Sequence, residues 1–151
     1  MLKGINPLLS PELLKLLCEM GHGDEIVLAD ANFTAESLSV NRPLLRLSGA
    51  GMREACAAVL SVFPLDTYVE QPVAFMHVGD TPDAYRSELQ RGVIRQMELD
   101  GLARPDQCEG MERFAFYDRA RRAYAIVQTG ELQPWANFIF KKGVIAEPLR
   151  P

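Results

Sequence analysis

Short, mostly apolar runs alternate along this chain with segments of helical period, and that alternation admits few folds. Glu25 to Ala29, Leu44 to Leu47, Val73 to Val78, Tyr124 to Thr129 and Asn137 to Phe140 read as strands. A sixth is expected around Cys108 to Arg113. Val73 to Val78 follows Pro72 and is almost continuously apolar, the pattern of a strand buried on both faces. Leu9, Leu13, Leu16, Leu17 and Met20 recur at roughly helical spacing. Ser10 is placed to cap that helix, Pro11 fits its first position and Gly21 fits just past its end. Met52, Ala55, Cys56, Val59, Leu60 and Phe63 mark a second helix, closed by Pro64. Thr81-Pro82 is expected to open a third, running to about Leu99 with Tyr85, Leu89, Val93 and Met97 on one face. Phe114 to Arg122 is expected to be helical, and Asn32 to Pro43 and Glu131 to Ala136 to be loops. The whole order points to an α/β fold with a largely parallel sheet covered on both faces.

A length of 151 residues suits one domain, spanning 1–151, with a core of its own. A net charge of −4 argues against a nucleic-acid surface. The densest basic run, Arg119 to Arg122, reads as a solvated helix face. No apolar run is long enough to span a membrane, and the first residues lack the apolar stretch of a signal peptide. Three widely spaced cysteines, Cys18, Cys56 and Cys108, fit neither a disulfide framework nor a zinc site. Cys18 and Cys56 fall on apolar helix faces and read as buried free thiols, so a cytoplasmic location is expected.

Chemistry concentrates in three stretches. Gly21-His22-Gly23-Asp24 puts a histidine in a turn between two glycines, which leave the ring uncrowded. Histidine can both give and take a proton near neutral pH. A short strand then leads to Asp30, at a strand end of the kind where open α/β sheets bind ligands. His22 and Asp30 are therefore expected to converge on a small polar molecule. In Arg113-Phe114-Ala115-Phe116-Tyr117, Phe114 and Phe116 read as core, while Arg113 presents a rigid fork of donors. In Trp135-Ala136-Asn137 the indole either fills a gap in an interface or stacks on the apolar face of a sugar, and the Asn137 amide both donates and accepts. His77 reads as a structural histidine inside a strand, and Gly49-Ala50-Gly51 as a turn. No metal site or phosphate-cradling loop is expected.

Taken in this order, the stretches resemble the L-fucose mutarotase and D-ribose pyranase family. The likeness runs from Leu2-Lys3-Gly4-Ile5 and Leu9-Ser10-Pro11-Glu12-Leu13-Leu14, through Asp30-Ala31-Asn32-Phe33 and Thr129-Gly130-Glu131, to Lys142-Gly143-Val144. Arg113, where the ribose branch usually has histidine, tilts it toward the fucose branch. The resemblance implies a three-layer α/β/α sandwich with a mostly parallel mixed sheet of about six strands. It also implies an isomerase without a cofactor, interconverting the anomers of L-fucose or a related monosaccharide in ring-shaped decamers with sites near subunit contacts. On that basis His22 is the catalytic proton donor, and Asp30, Arg113, Trp135, Ala136 and Asn137 bind the sugar. Tyr117 is a further candidate for the proton relay. The alternatives are D-ribose pyranase activity or a non-catalytic sugar-binding module. Trp135 stands where the family commonly has tyrosine, which removes a hydroxyl. Thr34 and the tail Ala146 to Pro151 are lesser departures.

Overall fold

The computed structural model describes residues 2–147. The chain runs α1 (Pro11–Glu19), β1 (Glu25–Ala29), α2 (Ala35–Leu38), β2 (Leu44–Leu47), α3 (Met52–Leu60), β3 (Val73–Met76), α4 (Glu88–Leu99), β4 (Cys108–Met111), α5 (Arg113–Arg122), β5 (Ala125–Thr129) and β6 (Phe138–Lys141). A 3₁₀ turn, Pro105–Gln107, precedes β4. Six strands form one sheet in the order β2-β5-β1-β6-β3-β4. All neighbours are parallel except β6, which runs antiparallel to both β1 and β3.

Side chains alternate across this sheet, and each face has its own core. Ile26, Leu28, Phe75, Val127, Phe138 and Phe140 pack under α1, α3 and α4. Val27, Ala29, Ala74, Met76, Ile126 and Ile139 pack under α2 and α5. The result is the expected three-layer α/β/α arrangement. Helix α1 begins where its punctuation places it, with Ser10 Oγ accepting the Leu13 amide at 3.2 Å and Pro11 in the first turn. Its whole apolar stripe is buried.

Several local expectations fail for identifiable reasons. The third helix begins at Glu88, not at Thr81-Pro82, because Ser87 and Gln90 form a reciprocal capping box there. Residues 81–87 are irregular instead: Pro82 lies in a turn closed by the Tyr85 amide, and Tyr85 is exposed. β3 stops at Met76, and His77 turns its Nε2 to the Thr81 carbonyl at 3.0 Å, as a structural histidine. The Asn32–Pro43 loop holds the short α2. Cys18 is exposed, one step off the α1 stripe, whereas Cys56 and Cys108 are buried. Burial pushes the Cys108 thiol up to about 12. Arg119 is not solvated: it donates to Glu25 at 2.9 Å and to Glu109, and Lys141 joins Glu25 at 2.9 Å. Of the C-terminal tail, residues 148–151 lie outside the described residues.

Candidate functional site

Parallel strands deliver the residues that follow them to one end of the sheet. Asp30 follows β1, Arg113 follows β4, and Met76 ends β3. Because β6 is antiparallel, the residues that precede it, Trp135 and Asn137, arrive at that same end. They line a cleft of about 260 Å³ together with Asn32, Phe33, Tyr117 and Pro134.

Asp30 and Asn137 are the floor. The Asn137 amide nitrogen donates to Asp30 Oδ2 at 2.8 Å, and the Asp30 backbone amide donates to Asn137 Oδ1 at 2.9 Å. The Asn32 amide donates to Asp30 Oδ1 at 2.9 Å. A carboxylate offers about four acceptor positions, so with the Asn137, Asn32 and Phe33 donors in place about one remains for a ligand's hydroxyl. Burial raises the Asp30 carboxyl above its ordinary value, although Asn137 and the Asn32 and Phe33 amides pull the other way.

Arg113 opens α5, where Glu112 caps the helix by accepting the Phe114 amide at 2.8 Å and the Ala115 amide at 3.1 Å. Its Nε donates to the Tyr117 hydroxyl oxygen at 3.0 Å, one turn along. Among the described residues the terminal nitrogens of the guanidinium have no hydrogen-bond partner, and the group lies over the Phe114 and Tyr117 rings. Tyr117 in turn packs edge-on against Phe33. Phe114, expected in the core, is 65% exposed. Ala136 is buried under the opposite face, so its side chain faces away from the cleft.

His22 is elsewhere. It precedes β1, so the strand itself, about 13 Å long at ~3.3 Å per residue, separates it from Asp30. One chain therefore does not bring the two together. The turn is held by reciprocal backbone bonds between Gly23, Asp24 and Lys142, and by the Lys142 ammonium, which donates to the Leu17 and Met20 carbonyls at the end of α1. His22 Nε2 lies 3.1 Å from Oδ2 of Asp66, a carboxylate buried at 3% exposure. Burial would raise the Asp66 carboxyl, but the Tyr68 amide, His22 and Lys141 outweigh it and hold it below its ordinary value. The Tyr68 ring stands 5.7 Å from the imidazole. An ionised carboxylate accepts, so Nε2 carries the proton of this pair and Nδ1 is left for other chemistry.

Sequence reasoning missed Asp66, Glu131 and Gln128 as supports. Glu131 accepts the Met52 amide at 3.2 Å and the Gln133 amide at 2.9 Å, tying the Trp135 loop to the start of α3. Gln128 donates to the carbonyls of Ala31 and Phe33, both at 3.1 Å, bracing the turn after Asp30. Burial of a loop carboxylate is the signal for Asp66, and only the fold exposes it. Among the described residues no cluster of histidine, cysteine and carboxylates fit for a metal is present.

The sequence pattern of the RbsD / FucU transport protein family matches residues 3–145. The chain belongs to this family. An L-fucose mutarotase from Actinobacillus pleuropneumoniae serotype 5b is 47% identical over 146 residues, covering 95% of this chain and 97% of that protein. The human fucose mutarotase is 45% identical over 152 residues, covering 96% and 95%. A crystal structure of the Streptococcus pneumoniae fucose mutarotase in complex with L-fucose shares the fold at a TM-score of 0.86 and 41% identity, over 96% of this chain and all of that one. RbsD / FucU membership accords with the layered sheet.

Proposed function

We infer that this chain is an L-fucose mutarotase, an isomerase that exchanges the α and β anomers of L-fucose. The observation that carries the reading is the convergence of Asp30, Asn137, Arg113 and Trp135 on one cleft. A carboxylate, a fork of donors and an aromatic wall suit a monosaccharide. Relatives at 45–47% identity bear this activity in their names.

Mutarotation needs a proton to leave the anomeric hydroxyl and another to reach the ring oxygen. The open aldehyde then rotates and recloses on its other face. With Asp66 holding Nε2–H, His22 Nδ1 takes a proton when neutral and returns one when charged. A positioned transfer of this kind contributes about 10²–10⁴-fold. Asp30 and Asn137 hold hydroxyls, Arg113 donates to further oxygens, and Trp135 covers the apolar face.

The proton carrier and the cleft belong to different copies in this reading. His22 is 46% exposed and flanked by the exposed Tyr68, while Phe114 and Leu132 are exposed near the cleft end. Docking one end of a subunit on the other end of the next completes each site and is heterologous, the interface class that builds rings where the rotation closes. A decamer is the assembly the family resemblance implies. Three free cysteines accord with a reducing, cytoplasmic setting.

Saturation transfer between the anomeric protons of L-fucose tests the activity. Transfer that appears only with protein is expected. Binding without transfer would make the protein a sugar-binding module, and transfer with D-ribose alone would make it a pyranase.

A further inference from the structure

Trp135 is the one tryptophan of the chain, and residues outside the cleft build its seat. Its backbone lies at φ 66°, in the left-handed region that a bulky side chain occupies only when its surroundings hold it there. Gln90 of α4, fully buried, donates from Nε2 to the Trp135 carbonyl at 3.1 Å and to the Met76 carbonyl at 2.8 Å. Its Oε1 accepts the Ser87 amide at 2.9 Å. Both amide protons and the carbonyl oxygen are thus engaged, and one side chain joins the first turn of α4, the end of β3 and the entry to β6.

Gly79 supplies the other half of the seat. A Cβ at this exposed position would stand 3.0 Å from indole Cη2 and 3.2 Å from Cζ2. Both atoms belong to the six-membered ring of the indole. The bare backbone of Gly79 lets that ring lie flush; a methyl group would push it into the cleft or away from it.

We propose that Gln90 and Gly79 are positioning residues that fix the Trp135 indole as a wall of the cleft. Gln90 acts by holding the carbonyl of the strained residue, and Gly79 by clearing room for its larger ring. The identity of the sugar rests on the mutarotase reading; the existence of the seat does not.

A single tryptophan lets fluorescence report the seat without any sugar. Gln90→Met and Gly79→Ala are expected to move the emission maximum and lower the anisotropy while far-UV circular dichroism stays unchanged. The KM for L-fucose exchange should rise about fivefold, the size of one lost hydrogen bond, with kcat changed less than about twofold. If Gln90→Met does not fold, Gly79→Ala at its exposed position carries the test alone. In a Trp135→Tyr background, which lacks the second ring, Gly79→Ala should leave KM unaltered. Folded Gln90 and Gly79 variants with unchanged emission and KM would overturn the proposal, as would an equal Gly79→Ala effect in the Trp135→Tyr background. Failure of the unaltered protein to exchange anomers would overturn the mutarotase reading alone, since the emission readout still decides the seat.

Discussion

His22 and Asp30 stand at opposite ends of one five-residue strand, β1. No rotamer of either side chain closes that gap, so a shared site requires two copies. Mixing and co-refolding His22→Ala with Asp30→Ala subunits should therefore restore exchange that neither variant shows. With random equal mixing, about one site in four draws both halves intact, so recovery should approach about a quarter of the unaltered rate. Recovery at the level of the two variants' simple average would place both residues in the same subunit's site.

Asp66→Asn keeps volume and an oxygen for the Tyr68 amide, yet presents a donor toward His22 Nε2. Nε2 must then accept, and the ring proton moves to Nδ1. The exchange rate should fall on the order of 10²-fold with L-fucose affinity nearly unchanged. Isothermal titration against L-fucose, beside the exchange rate, separates the two effects.

What was legible in the sequence divides along range. Ser10, Pro11 and the stripe from Leu9 to Met20 act within a few residues of one another, and their helix forms where they indicate. Asp30 stood out because it ends an apolar run, and Arg113 because it opens a helix. Arg119 was misread because its partner Glu25 lies 94 positions away, and a helix face seen alone looks solvated. Asp66 and Gln90 were silent for the same reason: an acid in a loop and an amide on a helix acquire meaning only from what the fold sets beside them. Only seven residues separate His22 from Asp30 in the sequence, yet an extended strand converts them into most of the height of the sheet.

The Glu25 network makes an acid-dependent contribution to stability. Burial alone would raise the Glu25 carboxyl, but Arg119 and Lys141 more than offset it and hold the value low. A carboxyl depressed in the fold stabilises above its unfolded value, about 4.3, and that gain is lost as pH falls through the folded value. Asp66 acts in the same sense, whereas the raised Asp30 opposes it. Arg119→Met should cost about 2 kcal/mol at pH 7, below the ~3–5 of a fully buried pair because Lys141 still partners Glu25. The cost should shrink in acid, as pH falls through the depressed folded value of Glu25 and the carboxyl is neutralised. Urea denaturation at both pH values measures it.

Gly143→Ala should be among the most damaging small substitutions. An added Cβ would overlap the Leu65 carbonyl oxygen, which is backbone and adjoins Asp66. A cost of about 2 kcal/mol is expected from overpacking, with exchange activity falling more than stability explains. Thermal melting and the exchange rate of the same preparation test both parts.

The reversed strand β6 has a consequence for how this molecule can change. It enters the sheet beside Asp30 and leaves it beside Glu25, so β1 and β6 together form a ruler between the two ends of the subunit. A residue inserted into either strand alone would shift every following side chain to the wrong layer and alter the spacing at once. The loops at both ends escape this constraint. Residues 131–136 and 77–87 can therefore change around the cleft, while the span from His22 to Asp30 stays fixed by β1 and β6.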